Sequence, residues 1–250
     1  MKVKEYKGFK HFGERDPKRP IKYLIVHSFA LPVKKMISVC NELGVGPHYI
    51  IDIKGNVMRL VSEDKVAWHA GKSYWYGEES LNGASIGIEL QNMTLGQTKY
   101  PDVQINAFIK LAKDIMKRHH IRPENVMGHS DVAPMRKVDP GMAFPWKDVA
   151  TKGIGVWGNE VNTGLTRAKT ATLLKKIGYD ITDEKAALLA FMRHFMPERV
   201  KKDKQILKME ENLPKKISRI PAPDKDVLVR LNSISKVYKQ KRKDNKIKRK

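Results

Sequence analysis

The sequence predicts an α/β protein: a mixed central β-sheet flanked by helices, followed by a small three-helix C-terminal unit. Three observations carry this. Short β-rich apolar runs recur over the first half, at residues 21–26, 48–53, 57–61, 84–90 and 126–128. Between them lie two stretches with apolar residues at helical spacing, Val33–Leu43 and the segment after Asp102. Beyond a Gly-containing polar stretch at residues 151–163, only helical patterns remain.

Residues 21–26 read as a buried strand that delivers His27 at its C-terminal end, where sites are commonly built. Val33–Leu43 follows with a face of Val33, Met36, Ile37 and Cys40, closed by Gly44. Residues 48–53 and 57–61 form two strands joined by a turn at Lys54-Gly55-Asn56. Residues 66–71 lead into an aromatic loop through Tyr74, Trp75 and Tyr76. After a turn at Asn82-Gly83, residues 84–90 form a strand carrying Glu89 between Ile88 and Leu90. Asp102 is a candidate cap for the clearest helix, with Ile105, Phe108, Ile109, Ala112, Ile115 and Met116 on one face. Val126-Met127-Gly128 is a strand leading into a loop, with Phe144-Pro145-Trp146 packing at its rim. Residues 1–157 make the α/β domain. Residues 158–240 make the helical unit, with residues 151–163 as linker. Its helices are residues 167–177, a second capped by Thr182 and ended by Pro197, and residues 224–240 with a face of Val227, Leu231, Ile234 and Tyr238. The charged residues 198–222 read as an insertion.

The chain has 250 residues, 41% of them hydrophobic, enough for a substantial core. It has no run of about 18 apolar residues, so no transmembrane helix is expected. Residues 1–20 are polar and show no signal peptide, so a cytoplasmic location is expected, with periplasm or cell envelope as the alternative. The single Cys40 excludes an internal disulfide framework. Of the net charge of +22, residues 198–250 supply +12, from 19 Lys and Arg against 7 Asp and Glu. Such a segment suits contact with an anionic surface. Residues 241–250 read as a disordered basic tail. A monomer with no specific nucleic-acid partner is expected.

The chemistry gathers in Gly128-His129-Ser130-Asp131-Val132-Ala133-Pro134-Met135-Arg136-Lys137-Val138-Asp139-Pro140-Gly141. Two prolines and two glycines make this a shaped loop rather than a helix. His129 and Asp139 suit zinc, and with His27 they make a two-His, one-carboxylate set that leaves a position open for water. Zinc lowers the pKa of such a water to roughly 7. Glu89 would take the water's proton, and Lys137 would meet the oxyanion of a tetrahedral intermediate. That set suits hydrolysis of an amide. The residues alone leave a plainer reading open. Glu89 pairs with a lysine, Lys137 is a solvated charge, His27 is a core histidine, and no H-E-x-x-H motif is present.

The chain resembles the zinc-dependent N-acetylmuramoyl-L-alanine amidases of the AmpD/AmiD type, a superfamily shared with phage amidases and animal peptidoglycan recognition proteins. The resemblance runs in order through Ile25-Val26-His27, Pro47-His48-Tyr49-Ile50-Ile51, Trp68-His69-Ala70-Gly71, and Leu81-Asn82-Gly83-Ala84-Ser85-Ile86-Gly87-Ile88-Glu89-Leu90. It continues through the shaped loop to Phe144-Pro145-Trp146. It implies one Zn2+ per chain on His27, His129 and Asp139, with Glu89 and Lys137 catalytic. It places His48, His69, Asn92 and Arg136 as substrate-binding or supporting candidates. Phage and animal relatives tend to have Cys where this chain has Asp139 and Tyr where it has Pro47, which sets the chain on the bacterial side. The implied reaction is hydrolysis of the bond between N-acetylmuramic acid, or its anhydro form, and L-alanine of the stem peptide, during wall turnover or recycling. The implied partners are peptidoglycan fragments or the sacculus. A non-catalytic peptidoglycan-binding protein is the alternative. Leu173-Leu174-Lys175-Lys176-Ile177-Gly178-Tyr179 and Ala190-Phe191-Met192-Arg193-His194-Phe195-Met196-Pro197 resemble the three-helix peptidoglycan-binding module of AmiD-like proteins. All five site residues precede Trp157, so the first unit is expected to fold and act without the second.

Overall fold

The computed structural model describes residues 2–158, 168–203 and 222–247. Its centre is a six-stranded sheet ordered β1 (Val3–Glu5), β5 (Val57–Arg59), β4 (Tyr49–Ile51), β9 (Ser85–Gln91), β3 (Tyr23–Phe29) and β10 (Val126–Gly128). Only β4 and β5 pair antiparallel, across the expected turn; the other neighbours are parallel. Two short ribbons stand apart: β2 (Phe12–Glu14) with β6 (Lys65–Ala67), and β7 (Tyr74–Trp75) with β8 (Glu78–Glu79). The mixed α/β architecture is the one predicted.

Alternation along the strands gives the sheet two unlike faces. Leu24, Val26, Ile86 and Ile88 face α2 (Asp102–Arg118), which covers them with Phe108, Leu111, Ala112 and Ile115. Gln104, fully buried in α2, donates to the carbonyls of Ile51 and Gln91, locking that helix to β4 and β9 at 3.0 Å each. The other face of β3 carries Tyr23, Ile25, His27 and Phe29. Tyr23 and Ile25 lie under the C-terminal helices. Phe29 packs on Met36, Ile37 and Cys40 of α1 (Val33–Leu43), which ends at Gly44 in the left-handed region (φ 66°). His27 sits between these two apolar blocks. Glu89 stands directly across from it on β9, on the same face.

The loop expected after β10 opens instead with a helical turn, α3 (His129–Val132). The cause is Asp131, whose carboxylate accepts the Gly128 N–H at 2.8 Å and so caps the turn. Phe144 and Trp146 are buried rather than at a rim; Trp146 opens α4 (Trp146–Thr151). Ile154, Gly155 and Val156 are buried, so residues 154–156 are core and not linker, while 151–153 are exposed; residues 159–163 lie outside the described residues. The helix after Pro101 begins at Asp102, which is its first residue and not its cap.

In the C-terminal unit, α5 (Thr170–Ile177) is shorter than expected. The cap of α6 (Glu184–Phe195) is Asp183, which accepts the Ala186 N–H at 3.0 Å, while Thr182 bonds Asp180. Pro197 both ends α6 and starts α7 (Pro197–Lys202). The last helix, α8 (Lys225–Ile247), runs seven residues past the expected end at Gln240, so residues 241–247 are helical rather than a disordered tail. Arg242 there lies 3.0 Å from the ring centroid of Tyr76. The insertion at residues 198–222 falls mostly outside the described residues. The core does not divide near Trp157. Tyr23, Ile25, Ala70 and Trp75 share one cluster with Leu174, Tyr179, Phe191, Leu231 and Tyr238. Each large apolar side chain so buried contributes roughly 1.5–3 kcal/mol, so the two units hold each other together.

Candidate metal centre

His27 arrives on β3, His129 opens α3, and Asp139 follows on the return of the loop. The Ser130 N–H donates to the Asp139 carbonyl at 2.9 Å, fixing the two ends of the loop to each other. Three ligand-capable atoms converge. His27 Nδ1 and His129 Nδ1 are 2.9 Å apart, and Asp139 Oδ2 lies 3.0 Å from His129 Nδ1 and 3.3 Å from His27 Nδ1. All three residues are buried, and among the described residues this is the group that could hold a metal ion.

The surrounding hydrogen bonds decide what these atoms are. The Ser85 hydroxyl donates to the Leu81 carbonyl at 2.7 Å, so it must accept from His69 Nε2–H, 3.1 Å away. His69 Nδ1 is then bare and accepts from His27 Nε2–H at 2.9 Å. Burial, reinforced by the neighbouring His129, lowers the His27 pKa to about 4, so the ring is neutral and its Nδ1 carries no hydrogen. His129 Nε2 lies 3.2 Å from the Ala70 carbonyl, so with the hydrogen on Nε2 it is Nδ1 that faces the site. In that tautomer two lone pairs and a carboxylate oxygen face one point. Three inward acceptors in a dry site repel one another unless a cation lies among them. Ligands on a tetrahedral zinc, with bonds of about 2.0–2.2 Å, stand roughly 3.3–3.5 Å apart. The donor set suits that ion, and its spacing of 2.9–3.3 Å has only to widen slightly to hold it.

Glu89 faces the same space. Its Oε2 is buried with no hydrogen-bond partner among the described residues. Burial and the charge of Asp139 push its pKa well above the usual carboxylate range, while Lys137 acts the other way. The positive charge of Lys137 also acts on His27. So the structure brings His27, Glu89, His129, Lys137 and Asp139 to one place.

The four supporting candidates fall differently. His69 holds His27, as described, and lies against Gly87, where an added Cβ would stand 2.5 Å from its ring. His48 is fully buried. Its Nδ1 accepts the Gly87 N–H and its Nε2 faces the Lys65 carbonyl, so it braces β9 beneath the site. The Asn92 side chain is taken up by its own loop, accepting from Thr94 and Gly96 and donating to Thr98. Arg136 is bound to backbone, donating to the carbonyls of Ala70 at 2.8 Å and Lys72 at 2.6 Å. It thus steadies the carbonyl that orients His129. Sequence reasoning missed Ser85, which sets the tautomers, and Tyr100, whose hydroxyl donates to the Pro140 carbonyl at 2.6 Å and anchors the Asp139 turn. Neither stands in a local pattern that announces it.

Comparison with known proteins finds relatives of this fold. The family described as N-acetylmuramoyl-L-alanine amidase matches residues 17–142. N-acetylmuramoyl-L-alanine amidase AmiD from Escherichia coli strain K12 is 36% identical over 208 residues, 71% of this chain and 75% of that protein. Among solved structures, the complex of E. coli AmiD with the substrate anhydro-N-acetylmuramic acid-L-Ala-D-gamma-Glu-L-Lys superposes with a TM-score of 0.70 at 31% identity. It covers 87% of this chain and 90% of that one. AmpDh3 from Pseudomonas aeruginosa gives a TM-score of 0.71 at 28% identity, covering 96% of this chain and 100% of that one.

Proposed function

The chain belongs to the N-acetylmuramoyl-L-alanine amidase family, and from that premise we propose that it hydrolyses the amide between N-acetylmuramic acid, or its anhydro form, and L-alanine of the peptidoglycan stem peptide, with one zinc ion at His27, His129 and Asp139. The observation that carries this reading is the set of three inward acceptors beside a carboxylate that is not a ligand.

Held by those three residues, zinc supplies Lewis acidity to a water molecule and to the scissile carbonyl. Glu89 takes the proton of the attacking water. Its raised pKa suits a group that receives a proton and then passes it to the leaving amine nitrogen of L-alanine. Lys137 faces the oxygen on which negative charge develops. His69 and Arg136 act one step back: His69 holds His27 through its Nε2–H, and Arg136 holds the Ala70 carbonyl against His129. Binding of muropeptide without turnover, as in a recognition protein, would leave the lone carboxylate of Glu89 without a task.

The test is incubation of the full chain with anhydro-N-acetylmuramyl tripeptide. Release of free stem peptide, abolished by a chelator and restored by zinc, is expected. Binding without release overturns the reading. Among the described residues no helix is long and apolar enough to cross a membrane.

A further inference from the structure

One buried carboxylate beside the metal centre has no part in the chemistry above. Asp131 lies two residues after His129 and is 1% exposed. Its Oδ2 accepts the Gly128 N–H at 2.8 Å and His194 Nδ1–H at 2.7 Å; its Oδ1 accepts the Tyr179 hydroxyl at 2.7 Å. Tyr179 and His194 both belong to the C-terminal unit. His194 is sandwiched between Trp146, at 4.0 Å between ring centroids and 17°, and Phe195, at 4.0 Å and 13°. Trp146 in turn lies on Gly128, where an added Cβ would meet its ring at 3.3 Å and Pro140 Cδ at 2.8 Å.

These contacts form a closed path. Asp131 fixes the N–H of Gly128, the residue before His129, and Pro140, which follows Asp139, packs on that same glycine. Two of the three donors that fix Asp131 come from the helical unit, and a ring of that unit supports Trp146. We propose that Tyr179 and His194 are positioning residues of the metal centre, acting through Asp131, so that the C-terminal helices set how tightly His129 and Asp139 hold the ion. This rests on the reading of His27, His129 and Asp139 as metal ligands. Packing alone would make the same residues matter for stability and for nothing else, and the two cases separate by measurement.

The full chain is stripped of metal and titrated with cobalt(II) against a competing chelator, with the visible absorption recorded. Tyr179→Phe removes one donor and keeps the ring. His194→Phe removes the other and keeps the stack on Trp146 and Phe195. Each is expected to weaken metal binding on the order of 10-fold, the lower end of what outer-shell contacts give, and to shift the cobalt bands while a cooperative melt persists. His194→Asn, which restores a donor hydrogen near the Nδ1 position, recovers part of the affinity. Phe191→Leu, in the same core but with an apolar side chain that makes no hydrogen bond to Asp131, lowers the melting temperature and leaves affinity and spectrum as in the parent chain. Unchanged affinity and spectrum in Tyr179→Phe and His194→Phe overturn the proposal, as does an equal loss in Phe191→Leu. If the parent chain itself takes up no cobalt, or His27→Ala binds it equally well, it is the ligand assignment that has failed, and this proposal falls with it.

Discussion

Glu63 and Asp139 are both buried carboxylates flanked by histidine, and their surroundings are opposites. Around Glu63 every neighbour donates: Tyr49 hydroxyl at 2.6 Å, Arg118 Nη2 at 2.7 Å and Nε at 3.3 Å, and His119 Nε2 at 2.5 Å. Around Asp139, the two imidazole nitrogens it faces are bare. A carboxylate and histidines in one place do not by themselves mark a metal site. What marks it is a shortage of hydrogens, and that shortage is set at a distance, by Ser85, Leu81 and Ala70.

The largest effects should come from breaking the acceptor set. His27→Ala, His129→Ala and Asp139→Ala each leave two protein ligands, too few to retain zinc. Metal content measured after gel filtration is expected to fall to near zero together with activity. Glu63→Gln, at the saturated cluster, should keep one zinc. Stoichiometric zinc in all three ligand variants would erase the contrast.

Next come the two groups that border the ion without holding it. Glu89→Gln is expected to lower kcat about 100- to 10,000-fold, and Lys137→Met about 100- to 1,000-fold. Both should retain zinc, since neither is a ligand. A zinc-free Glu89→Gln protein would move Glu89 into the coordination sphere.

Gly87→Ala tests the indirect half of the comparison. Its methyl would enter the space of the His69 ring, displacing the group that keeps a hydrogen on His27 Nε2. Loss of such support typically weakens metal binding by about 10- to 100-fold. Isothermal titration with zinc would read it, and an unchanged constant would mean that His69 does not set the His27 tautomer.

The smallest expected effect is confined to stability. Glu63→Gln should cost about 2–3 kcal/mol in urea unfolding at pH 7, at or below the low end of the range for fully buried pairs because Arg118 is 41% exposed. Burial opposes the Glu63 charge, but the bonds from His119 and Arg118 outweigh it and hold the carboxyl far below the usual range. A folded pKa below the unfolded value of about 4.3 means this stabilisation is complete at neutral pH. It is lost as pH falls below that value. The gap between parent and variant should therefore narrow as pH falls from about 5 to about 3.

Much of the fold was legible because it is periodic. Val33–Leu43 and Val126–Gly128 match their expected bounds, and the other expected strands, save one, lie within a residue or two of the observed ones. The strand expected at residues 21–26 runs three residues further, to Phe29, because α1 gives Phe29 an apolar partner that the local sequence does not show. Failures cluster where a side chain acts at a distance. Asp131 turned a loop into a helical turn, Asp183 displaced Thr182 as cap, and Trp146 was drawn inward by His194. His48, Asn92 and Arg136 were brought near the site by the order of the motifs, but their side chains are bound to backbone. Order along the chain says which residues arrive, and hydrogen bonding says which remain free to act.

Trp75 is 1% exposed, and its ring is covered by Tyr179 and Tyr238, more than 100 and 160 residues later in the chain. During synthesis, at roughly 5–20 residues per second, the sheet emerges many seconds before the helices that cover this face. For that interval the nascent chain carries Tyr23, Ile25 and Trp75 bare, an adhesive surface on an otherwise finished sheet. More than half of the chain's net positive charge lies in residues 198–250 and is made last, so the surface closes only as Tyr238 leaves the ribosome.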